Sequence, residues 1–443
     1  MTATTTAPQK VSLFTAIAVV VANMVGTGIF GSLGFQVAGI PSGFPILLLW
    51  IAGGVLAFSG AVCYAELGAM MPRSGGEYHL LGEIYHPLVG FLAGWISVTI
   101  GFSAPIALNA ALMGEYLGAI TGHPSLTFSI PVIVIVSGIH LASLRNIGRF
   151  QVLFTGGKIV LILILIVAAF AFAKNSQPIS FFPKPGDGEL IASPAFAISL
   201  VYVLYAYTGW NAAVYIVGEI RNPSRNLPLA MLIGTGFVTL IYVLLNAGFL
   251  YSTPIEAMAG KEEVGLISAR EIFGERGGAL MGILISFGLI STISAMTWAG
   301  PRVTAALGED YRPLSLFGRR NQNGIPALAV IFQSSVVLFL LLVSDFESLI
   351  QYTLALLNLS AMLVVFGVFW LRIRKPNAER PYRAFGFPVT PLIFLGFSCY
   401  VLVFQVREKP EEFLSGLATL LIGVLVYWFL KRSNRVGSSN KPS

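Results

Sequence analysis

The sequence predicts an all-α membrane protein with twelve transmembrane helices: a five-plus-five inverted repeat in which helices one and six are broken, followed by two peripheral helices. Three observations lead to this fold class. Of the 443 residues, 56% are hydrophobic and 11% charged, against about 25% charged in a soluble domain. Apolar runs of about 20 residues, the length that crosses a bilayer as a helix, recur along the whole chain. Glycine-marked interruptions fall at the start of two successive sets of five runs. With a mean hydropathy of +0.80, the apolar side chains exceed what one globular core holds, which excludes soluble enzymes and nucleic-acid binders. The net charge of +7 does not imply an acidic partner, because the basic residues sit in short loops where they set membrane orientation. Membrane lipid is the surrounding that the composition implies.

Twelve apolar segments follow in order, at about 11–39, 45–70, 88–117, 127–144, 150–173, 194–217, 227–252, 279–301, 325–344, 347–371, 388–406 and 412–430. Each is long enough for a helix across about 30 Å of hydrocarbon. The ten-residue polar and apolar alternation of a membrane barrel does not occur. About nineteen Lys and Arg side chains fall on the side of the N-terminus and about seven on the other, so both termini are expected in the cytoplasm of a multi-pass protein of the cell membrane. The one basic residue left over is Lys158. The stretch MTATTTAPQK enters the first apolar segment without a small-residue cleavage site, so the first helix is expected to stay as an anchor. No linker divides the chain. Residues 1–443 read as one membrane domain, with repeat one at about 11–173, repeat two at about 194–371 and peripheral helices at about 388–430; the loop at about 253–278 reads as short helices packed over the mouth.

Segment one contains ANMVGTGIFGS, with Gly26 and Gly28 near its middle, and segment six contains LYAYTGWNAA, with Thr208, Gly209, Trp210 and Asn211 there. Glycine is disfavoured inside a helix, so both segments are expected to break. Five crossings separate them, an odd number, which inverts the second set relative to the first. Broken helices expose amide donors and carbonyl acceptors, and a positive half-helix end attracts a carboxylate. A zwitterionic amino acid fits that pair of poles. Lys158 lies nine residues beyond Arg149, about 13 Å deeper along a helix, near mid-bilayer, where an unpaired ammonium is costly. Its four-carbon stem falls short of the interface, which favours a functional role over snorkelling.

The ordered motifs VGTGIF at 25–30, MPRSGGEY at 71–78, FTGGK at 154–158, YTGWN followed by GEIRNPSRNLPLA at 207–230, and RPYRAFGFP at 380–388 resemble the amino acid-polyamine-organocation superfamily of permeases, closest to its L-type amino acid transporter branch. The resemblance covers nearly the whole chain and implies the same ten-plus-two helix fold. It implies that Gly26, Thr27 and Gly28 clamp the substrate carboxylate through the backbone, and that carbonyls of Met24, Tyr205 and Thr208 meet its ammonium, with Gly209 and Asn211 beside them at the break. Tyr205 matches the aromatic gate of helix six. L-type relatives often carry a second glycine where this chain has Thr208, which implies a smaller or more polar side-chain pocket. The Lys158 ammonium is implied to occupy the place of a sodium ion in sodium-coupled relatives, tying helix five to carbonyls near Gly26 and to a helix-eight hydroxyl among Ser291, Thr292 and Ser294. L-type relatives attach to a glycoprotein through a cysteine in the outside loop after helix three; AITGHPSLT, at about 119–127 here, has none, so no disulfide-linked heavy subunit is expected.

The expected function is secondary active transport of amino acids by alternating access, independent of sodium, by exchange or proton-coupled symport. Neutral substrates are expected, because no acidic residue falls at mid-depth in helices one, three, six, eight or ten. The competing readings are an amino-acid-sensing, permease-like receptor, which needs a larger cytoplasmic domain than these ends provide, and a transporter of cationic amino acids or polyamines. A parallel-repeat architecture predicts a long central loop, whereas the loop at about 218–226 is short. Glu219, entering the NPSRNLP turn, is expected to pair with a cytoplasmic arginine as a gate contact. Glu66 and Glu115 near helix ends and His140 within helix four read as solvated or helix-packing groups, with proton relay as the alternative. Cys63 and Cys399 read as buried free thiols. His79, His86, His123 and His140 lack ligand spacing, so no metal site is expected. Neither a nucleophile with its base nor a phosphate-cradling loop occurs, so neither an enzyme, a cofactor nor ATP as energy source is expected.

Overall fold

A computed structural model describes residues 10–142, 147–173, 176–344 and 346–438. The first apolar segment forms two helices, α1 (Leu13–Met24) and α2 (Thr27–Gly39). Ser12 caps α1, accepting from the Thr15 amide at 3.2 Å. Then come α3 (Gly43–Met70) and α4 (Glu77–Ile84). A π-helical stretch at Ser97–Gly101 joins α5 (Pro87–Ile96) to α6 (Ser103–Thr121). Next are α7 (Leu126–Ala142), α8 (Ile147–Phe172) and the short α9 (Asp187–Ile191). The sixth segment is again split, into α10 (Pro194–Tyr207) and α11 (Ala212–Tyr215). After it follow α12 (Pro223–Ser252), α13 (Ile255–Met258), α14 (Val264–Asp310), α15 (Ser315–Gly318), α16 (Ala327–Val343), α17 (Phe346–Arg374), α18 (Val389–Glu408) and α19 (Pro410–Ser438).

Among the described residues, nine helical stretches are long and apolar enough to cross a membrane. Three more, α7, α10 and α16, are apolar but only 17, 14 and 17 residues long. Large apolar side chains such as Val167, Leu240, Phe287 and Leu425 are exposed on the outside. In water such a belt invites aggregation; hydrocarbon is its matched solvent. The chain is a multi-pass membrane protein.

Packing is reciprocal between the two halves. Helix α1 lies against α8 and α12, and α10 lies against α17 and α3; α6 meets α16 as α14 meets α7; α8 meets α12 and α14 as α17 meets α3 and α6. The connecting segments form two groups with contacts inside each. On the face of the N-terminus, Val11 bridges Ile220, Arg73 pairs with Asp310 at 3.0 Å and Asn323 donates to the Ala142 carbonyl at 3.2 Å. On the other face, Ser42 donates to Asp187 at 2.7 Å, Gln177 bonds Tyr251 through the backbone at 2.9 Å and Lys409 pairs with Glu347 at 3.1 Å. The loop at 253–278 does contain short helical pieces: α13, and the part of α14 before its kink at Gly274, whose φ of 74° suits glycine. They pack on α2, where the Gly260 amide donates to the Gly34 carbonyl at 2.9 Å.

Two side chains differ from expectation. Glu66 is neither solvated nor simply packed: it is buried, with Arg372 at 2.7 Å and Arg380 at 3.4 Å, and it accepts from the Ala384 amide at 2.6 Å. The motif RPYRAFGFP is thereby docked on the end of α3. Cys399 is exposed on the outer surface of α18, whereas Cys63 is buried; a peripheral helix turns much of its surface to lipid. Of the basic residues used for orientation, Arg145, Lys174 and Lys441 lie outside the described residues, as do the side chains of Arg149 and Arg435.

Removing one partner from a buried ion pair strands the other charge, at about 3–5 kcal/mol. Glu66→Ala should therefore lower the melting temperature of the detergent-solubilised protein substantially. An unchanged melting temperature would show that docking of the 380–388 loop contributes nothing to stability.

Candidate substrate-binding site

The chain leaves helical geometry between Met24 and Thr27. Val25 is extended (φ −78°, ψ 93°) and Gly26 has φ −140° and ψ −143°. No side chain caps the amides that open α2, so its first-turn donors have no partner within the helix. The second interruption, at 208–211, turns at Gly209 with φ 96°. A Cβ on Gly209 would fall 2.7 Å from the Asn23 carbonyl carbon. The two interruptions therefore touch, and the contact requires glycine.

A cavity opens beside this crossing. Asn23 of α1, Leu56 of α3, Glu77 of α4, Phe102 and Pro105 around the π-helical stretch, Met296 of α14, and Leu354 and Asn358 of α17 line it, together with Thr208, Gly209, Trp210 and Asn211. Met24, Gly26, Thr27, Gly28 and Tyr205 are not in its lining. Thr27, Gly28 and Tyr205 belong to the contact between α2 and α10, while Met24 ends α1 and Gly26 faces Asn109 and Thr292. A Cβ on Gly28 would meet the Ala206 Cα at 2.3 Å, and the Tyr205 hydroxyl stands 3.5 Å from Thr27 Oγ1. The Tyr205 carbonyl already accepts from the Thr208 amide at 2.9 Å and the Thr208 hydroxyl at 2.7 Å. The Met24 carbonyl accepts from the Tyr242 hydroxyl at 2.6 Å, and the same hydroxyl stands 3.1 Å from the Ala206 carbonyl. Tyr242 thus bridges the backbone beside both breaks.

Lys158 is buried, and its Nζ lies 2.5 Å from the Val25 carbonyl, 3.5 Å from the Ala22 carbonyl and 2.8 Å from Thr292 Oγ1. Thr292 also donates to Val25 at 2.7 Å. Of the three candidate hydroxyls on α14, Thr292 is the one at the lysine; Ser294 bonds His140 at 2.9 Å, and Ser291 is buried beside them. Glu219 forms a two-pronged pair with Arg302, at 2.6 and 3.2 Å, on the face of the N-terminus. Glu115 is exposed, beside a second cavity bordered by α6, α7 and α16.

Several residues at the site escape a reading by segments. The cavity does hold a carboxyl, contrary to the expectation from span depth: Glu77 is 2% exposed and reaches inward from the connection between α3 and α5. The turn that brings it there is Gly75–Gly76, with φ of 131° and 57°; a Cβ on Gly76 would fall 2.1 Å from the Tyr215 ring. Asn109 of α6 abuts the first break, since a Cβ on Gly26 would lie 2.9 Å from its Oδ1. That oxygen is buried without a partner. The doubled glycine of SGGEY was a usable signal for Glu77, whereas Asn109 and Tyr242 look like ordinary polar residues of apolar helices.

A family model described as amino acid permease matches residues 11–428. Among curated relatives, b(0,+)-type amino acid transporter 1 of Mus musculus is 27% identical over 435 residues, 96% of this chain and 88% of the relative. Large neutral amino acids transporter small subunit 2 of Mus musculus is 28% identical over 449 residues, covering 95% and 80%. Asc-type amino acid transporter 1 of Mus musculus is 27% identical over 451 residues, covering 95% and 81%.

The bridge made by Tyr242 gives a direct test of the crossing. Tyr242→Phe removes the one hydroxyl proton that the Met24 and Ala206 carbonyls share, a loss of about 1–3 kcal/mol. Backbone amides at 22–28 and 205–210 should then exchange hydrogen faster than in the wild type. Unchanged exchange in both segments would mean that Tyr242 does not hold the breaks together.

Proposed function

Because the chain belongs to the amino acid permease family, we propose that it is a secondary active transporter of neutral L-amino acids, independent of sodium, that works by alternating access. Its relatives are amino acid transporters, and the protein is not an enzyme. The observation that carries the reading is the contact of two helix interruptions at one cavity, Asn23 against Gly209. Next to this contact, outside the cavity lining, the uncapped amides that open α2 and the carbonyls before the turn at Gly209 offer a donor pole and an acceptor pole.

On this reading the fold has twelve crossings in two inverted repeats, with both termini cytoplasmic. The three shorter apolar helices make up the number, the loop contacts alternate between two faces, and the packing pairs exchange when each span is shifted by five. The bias of Lys and Arg supports the orientation. The substrate carboxylate binds amides at Gly26, Thr27 and Gly28, and its ammonium meets carbonyls of Met24, Tyr205 and Thr208. Since Thr208 occupies the Tyr205 carbonyl, binding there entails release of the Thr208 hydroxyl. Tyr205 serves as a gate between α2 and α10, and the Glu219–Arg302 pair as a gate on the face of the N-terminus. Lys158 replaces a coupling sodium ion. Transport of cationic amino acids is a second reading, favoured by the Glu77 carboxyl in the cavity lining.

Counterflow in proteoliposomes tests this. Labelled L-leucine, L-alanine and L-lysine are exchanged by the purified single chain in sodium medium and in choline medium. Leucine or alanine should exchange equally well in both media and without a second protein, the loop at 119–127 having no cysteine for a heavy subunit. Lys158→Ala removes the donor shared by Val25, Ala22 and Thr292; a loss of about 1.4 kcal/mol would slow exchange about tenfold. Sodium-dependent exchange, or an unimpaired Lys158→Ala, would remove Lys158 from the mechanism.

A further inference from the structure

Glu77 is a carboxyl in the wrong company for a charge. Its Oε1 accepts from the Tyr64 hydroxyl at 2.5 Å and from Asn211 Nδ2 at 3.2 Å, while its Oε2 is buried without a hydrogen-bond partner. From α3 the titratable group facing it is Tyr64, and from α11 it is Tyr215; Asn211 at the second break and Ser360 on α17 are neutral. Among the described ion pairs none includes Glu77. An ionised carboxylate without a counter-charge in a dry site carries a desolvation cost that a proton removes.

We propose that Glu77 is the proton-binding residue of the central cavity: Oε2 gains a proton when the cavity closes and returns it to water when the cavity opens to the opposite side, so that a proton travels with the amino acid. The step forms one O–H bond at Oε2 and later breaks it; nothing else is transferred. Tyr64 and Asn211 hold Oε1 in either state, which leaves Oε2 as the carboxyl oxygen without a partner. Because Asn211 belongs to the interruption between α10 and α11, a change of charge on Glu77 is felt at the substrate site itself. Helix α4 lies outside the membrane-spanning helices, and burial pushes the carboxyl up from 4.5 to about 7. Protonation therefore favours the closed arrangement below that range, and the preference is lost as pH rises from about 4.5 through 7.

The proposal rests on the transport reading, and the test separates the two. Purified wild type and Glu77→Gln are reconstituted in proteoliposomes with the membrane voltage clamped at zero. Uptake of labelled L-leucine and L-alanine is measured under an inward proton gradient of one pH unit, and each protein's result is divided by its own counterflow at equal pH. One pH unit per proton allows up to about tenfold accumulation. The wild type should accumulate substrate above equilibrium, and Glu77→Gln, which keeps an acceptor for Tyr64 and Asn211 but does not titrate, should not. Counterflow in the wild type with no response to the gradient overturns the proton role and leaves transport standing. A gradient response that survives in Glu77→Gln does the same. Absence of counterflow of any amino acid by the wild type overturns the transport reading beneath the proposal.

Discussion

A lysine ammonium held by backbone is the constraint on which the rest of the site depends. Val25 sits where α1 stops, so its carbonyl has no helical partner of the usual kind. Two donors converge on it, Lys158 at 2.5 Å and the Thr292 hydroxyl at 2.7 Å. The ammonium is satisfied in turn by Val25, Ala22 and Thr292, the arrangement that a buried charge requires. Each group solves the other's problem: the break supplies acceptors that an unbroken helix would have used internally, and the lysine supplies the donor that lets the break stay dry. The surrounding sequence accommodates this. A Cβ on Gly288 of α14 would approach the lysine stem to 3.3 Å, so a small residue stands where the stem crosses.

The second break is held by a different set of groups. Tyr242 joins the Met24 and Ala206 carbonyls, Thr208 turns back on Tyr205, and Gly209 lies against Asn23. Glu77 and Tyr64 approach it through Asn211, and the Tyr64 ring stands edge-on to Trp210 with centroids 4.8 Å apart. The first break is thus tied to α8 and α14 through the Lys158 amino group and Thr292, and the second to α3 and α4 through a carboxyl.

Most of this was legible where a residue type conflicted with its segment. Two glycines in an apolar run near Thr27, the TGWN stretch and a lysine nine residues inside a span each violate what a plain membrane helix tolerates; the glycines lie at the first interruption, the TGWN stretch lines the cavity and the lysine reaches the Val25 carbonyl. The choice of Thr292 over Ser291 and Ser294 was not legible, because neighbours in a helix differ only by their angle around the axis. Glu77 was missed for another reason. Glu77 lies in no span and so has no depth along one; a turn of two positive-φ glycines carries it in from a connecting segment. Glu66 looked solvated because it stands near a helix end, yet Arg372, Arg380 and the Ala384 amide cover it from more than 300 residues away in the chain. Such partners become visible only once the fold brings distant segments together. The three shorter helices show the same limit in length: α10 has 14 residues because its segment is split, and hydropathy alone does not reveal where a split falls.

The central claim is that the two helix breaks, supported by Lys158 on one side, form the amino acid site. A structure determined with bound L-leucine tests it most directly. The account predicts the carboxylate within hydrogen-bonding distance of the amides of Thr27 and Gly28, the ammonium at the carbonyls beside Thr208, and Lys158 still on the Val25 carbonyl. Leucine bound away from both breaks, or Lys158 withdrawn from Val25 with a sodium ion in its place, would contradict it.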